Sequence, residues 1–122
     1  MALAKGSLSS IVSVVSAATT VGIYTNPSST KSYIKAFVMH NAGGVTSLCK
    51  LHDVPNNGGS VGTASSNNQI FSQNINAGET VFFEYPYPLT LTGTNDSIRF
   101  ESSTTGPVNI QILGDSDPWY GY

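Results

Sequence analysis

From Ser32 to Asn41 the side chains alternate with a period of two, Ile34, Ala36 and Val38 on one side and Tyr33, Lys35, Phe37 and Met39 on the other. That period predicts a strand. Both of its sides are largely apolar, so it is expected in the middle of a sheet, packed on a second sheet and covered on its other face by a neighbouring element or subunit. Shorter β-branched or alternating runs predict further strands at Ile11–Val15, Val21–Thr25, Val45–Val54, Ile70–Ile75, Thr80–Tyr85, Leu89–Leu91, Ser97–Glu101 and Val108–Leu113. In the Val45 strand, Val45, Ser47, Cys49 and Leu51 make the better core face, opposite Thr46, Leu48, Lys50 and His52. Pro86 and Pro88 are expected to end the Thr80 strand or hold it at a sheet edge.

Between these runs stand turn sequences: Asn26-Pro27-Ser28-Ser29-Thr30, Asn76-Ala77-Gly78-Glu79, Gly93 to Asp96, and Ser102 to Pro107. Asn41-Ala42-Gly43-Gly44 reads as a hairpin connection. Pro55 to Asn68 is the longest loop and buries almost nothing, a length that usually marks mobility or function. No segment keeps a helical period. Eight or nine short strands at spacings of about 8 to 12 residues predict an all-β, single-domain antiparallel β-sandwich, either jelly-roll or Ig-like. Extended segments flank it: an N-terminal arm over residues 1–10, the sandwich over 11–113, and an aromatic tail over 114–122 in which Gly and Pro are expected to prevent a strand.

A chain of 122 residues has room for one core. Only 10% of residues are charged, so Ser, Thr, Asn and Gly must cover the surface, a composition typical of extracellular or virion β-proteins. The five basic residues, Lys5, Lys31, Lys35, Lys50 and Arg99, are scattered and the net charge is −2, which argues against a nucleic-acid partner. Apolar runs fall short of the ~20 residues of a membrane-spanning helix, and serines interrupt the leader-like stretch in Met1 to Thr20. Cys49 stands alone, excluding an intrachain disulfide, and is expected to be a small buried core residue.

Candidate chemistry is sparse. His40 and His52 would approach each other if their strands formed a hairpin, with Asp53 next in sequence, but Asp53 alternates to the opposite face from His52. Glu84 and Glu101 could face each other as glycosidase carboxylates do, and Asp53, Asp115 and Asp117 could hold calcium in loops; neither pattern is specific. No phosphate loop or nucleophile elbow occurs. No catalytic residue, metal or cofactor is therefore assigned. The last nine residues carry Trp119, Tyr120 and Tyr122, large amphipathic side chains of the kind that anchor interfaces. With Leu3 and Leu8 of the arm and Tyr85 and Tyr87 of the aromatic strand, they are the candidate interface residues, the alternative being that the tail folds back on its own domain.

Ile23-Tyr24-Thr25-Asn26-Pro27, a polar turn and the strand ending in Asn41 resemble the opening of small β-sandwich virion proteins of tailed bacteriophages. Ile75-Asn76-Ala77-Gly78-Glu79-Thr80, Leu89 to Ile98 and Val108 to Leu113 resemble later steps of the same pattern, although Gly93-Thr94-Asn95-Asp96 replaces the compact Gly-Asp turn. The resemblance implies a non-enzymatic capsid decoration or cement subunit located in the virion. Its partners would be the major capsid protein or other virion proteins and further copies of itself, a trimer being favoured. The alternative is a tail- or fibre-associated module that binds a host receptor or carbohydrate.

Overall fold

The computed structural model describes residues 4–118. Its strands are β1 (Ala4–Ser7), β2 (Val12–Val14), β3 (Val21–Thr25), β4 (Thr30–Asn41), β5 (Ser47–Val54), β6 (Gln69–Ile75), β7 (Thr80–Leu91), β8 (Ser97–Ser102) and β9 (Val108–Pro118), with a 3-10 turn at Ser66–Asn68. One sheet has the order β1-β9-β4-β7, with β2 also paired to β9; the other is β3-β8-β5-β6. The antiparallel pairs β2 with β9, β3 with β8, β4 with β7 and β5 with β6 nest inside one another along the chain and alternate between the sheets. This is a jelly roll, which decides between the two sandwich architectures that the sequence allows. Ile34, Phe37 and Met39 of β4 and Ile110 and Ile112 of β9 meet Cys49, Leu51, Ile98 and Phe100 of the other sheet in a single buried core.

At the centre of β4 the expected alternation breaks. Ile34 pairs with Gly114 of β9, yet Ala36 pairs with Leu113, so Lys35 is an inserted residue. One inserted residue reverses the parity of everything after it. Ser32 and Ile34 therefore point inward before the bulge, and Phe37 and Met39 after it. The apolar residues of both parities reflect this switch; Val38 and His40, on the outer face, are half-buried within the chain. Gly114 is what lets β9 come this close, because a Cβ there would collide with the Tyr33 carbonyl oxygen. Beside it Lys35 Nζ lies 2.6 Å from Asp115 Oδ2.

On its other edge β4 meets a larger irregularity. Ile34 pairs with Leu89 and Ala36 with Glu84, so Tyr85, Pro86, Tyr87 and Pro88 all stand opposite Lys35. The two prolines fall where the ladder asks for no N–H, and β7 runs on through them as one strand where two were expected. Similarly, β9 continues through Gly114 to Pro118, where Gly and Pro were expected to prevent a strand, because β4 and β1 pair with it as far as Thr30 and Ala4. Ala4–Ser7 is thus a sheet strand and not a free arm.

One connection also differs from expectation. Residues 41–46 carry the chain from one sheet to the other, so β4 and β5 are not a hairpin, and β6 and β7 likewise belong to different sheets. Asn41 holds this end of the sandwich. Its side-chain amide donates to the carbonyls of Val45 and Ile75 (2.8 Å each) and its Oδ1 accepts from Gly43 N at 2.9 Å. Its backbone N–H donates to Glu79 O and its carbonyl accepts from Gly78 N.

Gly114→Ala should cost about 1–3 kcal/mol, the usual range for forcing a methyl group into a closed site. Guanidinium unfolding of the two proteins checks this, and an unchanged midpoint would mean that β9 does not approach Tyr33 so closely.

Candidate binding surface

At the opposite end of β4 a second buried asparagine repeats the device. Asn26 Nδ2 donates to Thr30 O and Gly93 O at 2.9 Å each, and its Oδ1 accepts from Ser32 Oγ at 2.6 Å. Because the Ser32 proton is committed to Asn26, Tyr24 must be the donor in its 2.6 Å contact with Ser32 Oγ. Asn26 N donates to Asp96 O, and Asn95 N to Asn26 O, so the β3–β4 turn is tied to the β7–β8 turn. Asp96 extends the tie to the long loop. Its Oδ1 accepts from Asn56 N and Asn56 Nδ2, and its Oδ2 from Gly93 N, all at 2.8 Å.

The long loop is itself fixed at its far end. Ser65 Oγ accepts from Asn67 N, and Asn68 Oδ1 accepts from Ser65 N in return, forming a capping box. Asn68 Nδ2 donates to Thr63 O at 3.0 Å. Buried beneath, His52 Nδ1 faces Ser65 O at 3.0 Å and Asn68 Oδ1 at 3.1 Å, both acceptors, which places the proton on Nδ1.

These ties frame a cleft of about 460 Å³ between the two sheets. Its walls are Asp53, Pro55, Asn67, Asn68, Gln69 and Ile70 on one side, and Thr90, Leu91 and Asp96 on the other. Burial raises the pKa of Asp53 above the ordinary 3.8, and the charge of Asp96 adds to this. Burial alone would raise Asp96 too, but hydrogen bonds from Asn56, Gly93 and Thr92 outweigh it and hold its carboxyl below 3.8. Asp96 is therefore already ionised when Asp53 titrates, and the repulsion falls on Asp53. Nearby, burial and then the Asp53 charge raise the Tyr85 hydroxyl above its ordinary value.

Beyond the cleft runs an open flank where β6 and β7 are the last strands of their sheets. The gap between them is closed by aromatic rings. Phe83 stacks on the fully buried Phe37 (5.3 Å, 9°), Phe71 meets Phe37 edge-on at 5.0 Å, and Tyr85 meets Phe83 edge-on at 4.9 Å. The core here reaches the surface, since Phe83 is 38% exposed. Phe82, paired with Val38 on the outer face, is 60% exposed, and Tyr87 on the proline bulge is 86% exposed.

Of the candidate interface residues, Tyr87 stands out in solvent and Tyr85 is half-buried in the aromatic cluster. Leu8 is not an exposed anchor: it packs against the core, and its backbone N–H donates to Ile112 O. Leu3, Trp119, Tyr120 and Tyr122 lie outside the described residues. Phe82 and Phe83 are not singled out by sequence, although the aromatic run of Thr80 to Tyr85 is a signal for them; of the cleft side chains, Asp53 and the Pro55 to Asn68 loop are, whereas Gln69, Ile70, Thr90 and Leu91 are not.

The remaining candidates do not converge. His40 lies on the outer face of its sheet, its Nδ1 2.8 Å from Thr80 Oγ1, while His52 is buried in the other sheet. Glu84 and Glu101 are likewise on strands of different sheets. Among the described residues no three His, Cys, Asp or Glu side chains gather as a metal site. Cys49 is buried, and desolvation raises its thiol pKa against a weak opposing contact with Ser47. Neither a protein-family model nor a curated protein matches the chain.

The two cleft acids give opposite pH dependences. Asp53, raised in the folded state, penalises folding above its folded pKa, so stability should rise as pH falls toward 3.8. Asp96, lowered in the folded state, contributes stability above 3.8 that is lost as pH falls through its folded value. Urea unfolding against pH should show both slopes, Asp53→Asn abolishing the first and Asp96→Asn the second.

Proposed function

We propose that this protein is a non-enzymatic structural subunit of a phage virion, a capsid decoration or cement protein that binds the shell and neighbouring copies across the β6–β7 flank. The observation that carries the reading is the 12-residue edge strand β7, where core aromatics continue out to exposed Phe82, Phe83 and Tyr87. Edge strands offer backbone groups for pairing, and natural proteins blunt or cover them. Pro86 and Pro88 blunt one half of β7, while Thr80 to Glu84 keeps its donors. Exposed apolar side chains on that half supply area for a partner to bury. The virion setting comes from the sequence resemblance, and the jelly roll is an architecture that capsid and lectin domains use. A closed ring, a trimer, lets each copy use one patch repeatedly.

The second reading, a tail- or fibre-associated module for a host receptor or carbohydrate, is favoured by the polar cleft beside the flank. Phe82→Lys and Tyr87→Ala, both at exposed positions, should leave the circular dichroism spectrum unchanged. They should also abolish co-sedimentation with capsid shells and reduce the oligomer to monomer in analytical ultracentrifugation. A wild-type protein that stays monomeric and never associates with shells would overturn the assembly reading.

A further inference from the structure

We infer that the cleft between Asp53 and Thr90 is a binding site for a neutral saccharide. Its volume of about 460 Å³ falls within the ~300–1,000 Å³ range of small-molecule sites. Two of the lining groups are spent: Asp96 has its oxygens on Asn56 and Gly93, and Asn68 has its amide on Ser65, His52 and Thr63. Other lining groups are unspent. Among the described residues no hydrogen-bond partner meets the Asp53 carboxylate, the side-chain amides of Asn67 and Gln69, or the Thr90 hydroxyl.

Carboxylate, amide and hydroxyl groups lining one cleft suit sugar hydroxyls, which each donate and accept. Ile70 and Pro55 beside them offer an apolar patch for the C–H face of a sugar ring. Two carboxylates and no Lys or Arg in the lining repel anionic ligands. A hard cation is disfavoured as well, since it needs several free oxygens and Asp96 has none to give. The inference goes beyond the assembly role and names a ligand class for the tail or fibre reading. It does not depend on Phe82 or Tyr87, so loss of shell binding by those variants leaves it untouched.

The test is a titration of the ¹⁵N-labelled full chain with the methyl glycosides of glucose, galactose and mannose, with N-acetylneuraminic acid and calcium chloride as separate arms. At least one neutral glycoside should shift amides confined to Asp53, Asn67–Ile70 and Thr90, with a Kd on the order of 1 mM for a single ring. Asp53→Asn and Gln69→Ala should each weaken binding roughly tenfold while keeping a dispersed spectrum, and Phe82→Lys should not change it. The inference fails if no neutral glycoside perturbs these amides, if only calcium or the anionic sugar does, or if both cleft variants bind as the wild type does.

Discussion

Asn26 and Asn41 bury amide groups at the two ends of the central strand β4, and no arrangement of the loops is tolerable that leaves those groups without partners. A buried polar atom stripped of its hydrogen bond costs roughly 1–3 kcal/mol, so each asparagine dictates where several carbonyls and N–H groups must lie. Asn41 gathers the β4–β5 and β6–β7 connections around one side chain. Asn26 does the same for the β3–β4 and β7–β8 turns, and Asp96 passes the tie on to the loop after β5. Crossovers between sheets need such fixtures, because a crossing segment has no ladder of its own to hold it.

With the ends fixed, the middle of β4 can be irregular. The insertion at Lys35 turns the inward face from Ile34 to Phe37, and both neighbouring strands adapt, β9 through Gly114 and β7 through its four-residue excursion. The excursion leaves Tyr85 half-buried in the aromatic cluster and carries Tyr87 into solvent. A single inserted residue in the core strand thus shapes the exposed flank, and places aromatic and polar surfaces side by side at one edge of the sandwich.

Much of this architecture was legible in the sequence. Alternating β-branched segments separated by Asn, Gly, Pro and Ser turns predicted an all-β sandwich of short strands. In β5 the inward set Ser47, Cys49 and Leu51 was visible from period, whereas Val45, expected on the same face, precedes the strand and is exposed, and His52, expected opposite, is buried beyond the irregularity after Leu51. The sparse charge on the surface and the lone buried cysteine also followed from composition. Periodicity failed at Lys35, since a bulge leaves no mark on a strand whose residues are apolar at both parities. It failed again at Pro86 and Gly114, residues that read as breakers locally and are tolerated because the partner strands make no demand there that they cannot meet.

The sequence by itself determined most of the strands and the turns between them, because those depend on neighbours one to four residues away. Only the tertiary structure decided which strands pair, that the turns at 41–46 and 76–79 cross between sheets, and that Asp53, Gln69 and Thr90 share a cleft. A turn sequence reverses the chain whether its second strand lies alongside or across the sandwich. The choice is made by long-range burial, with β4 sealed between β7 and β9, a partner some seventy residues on.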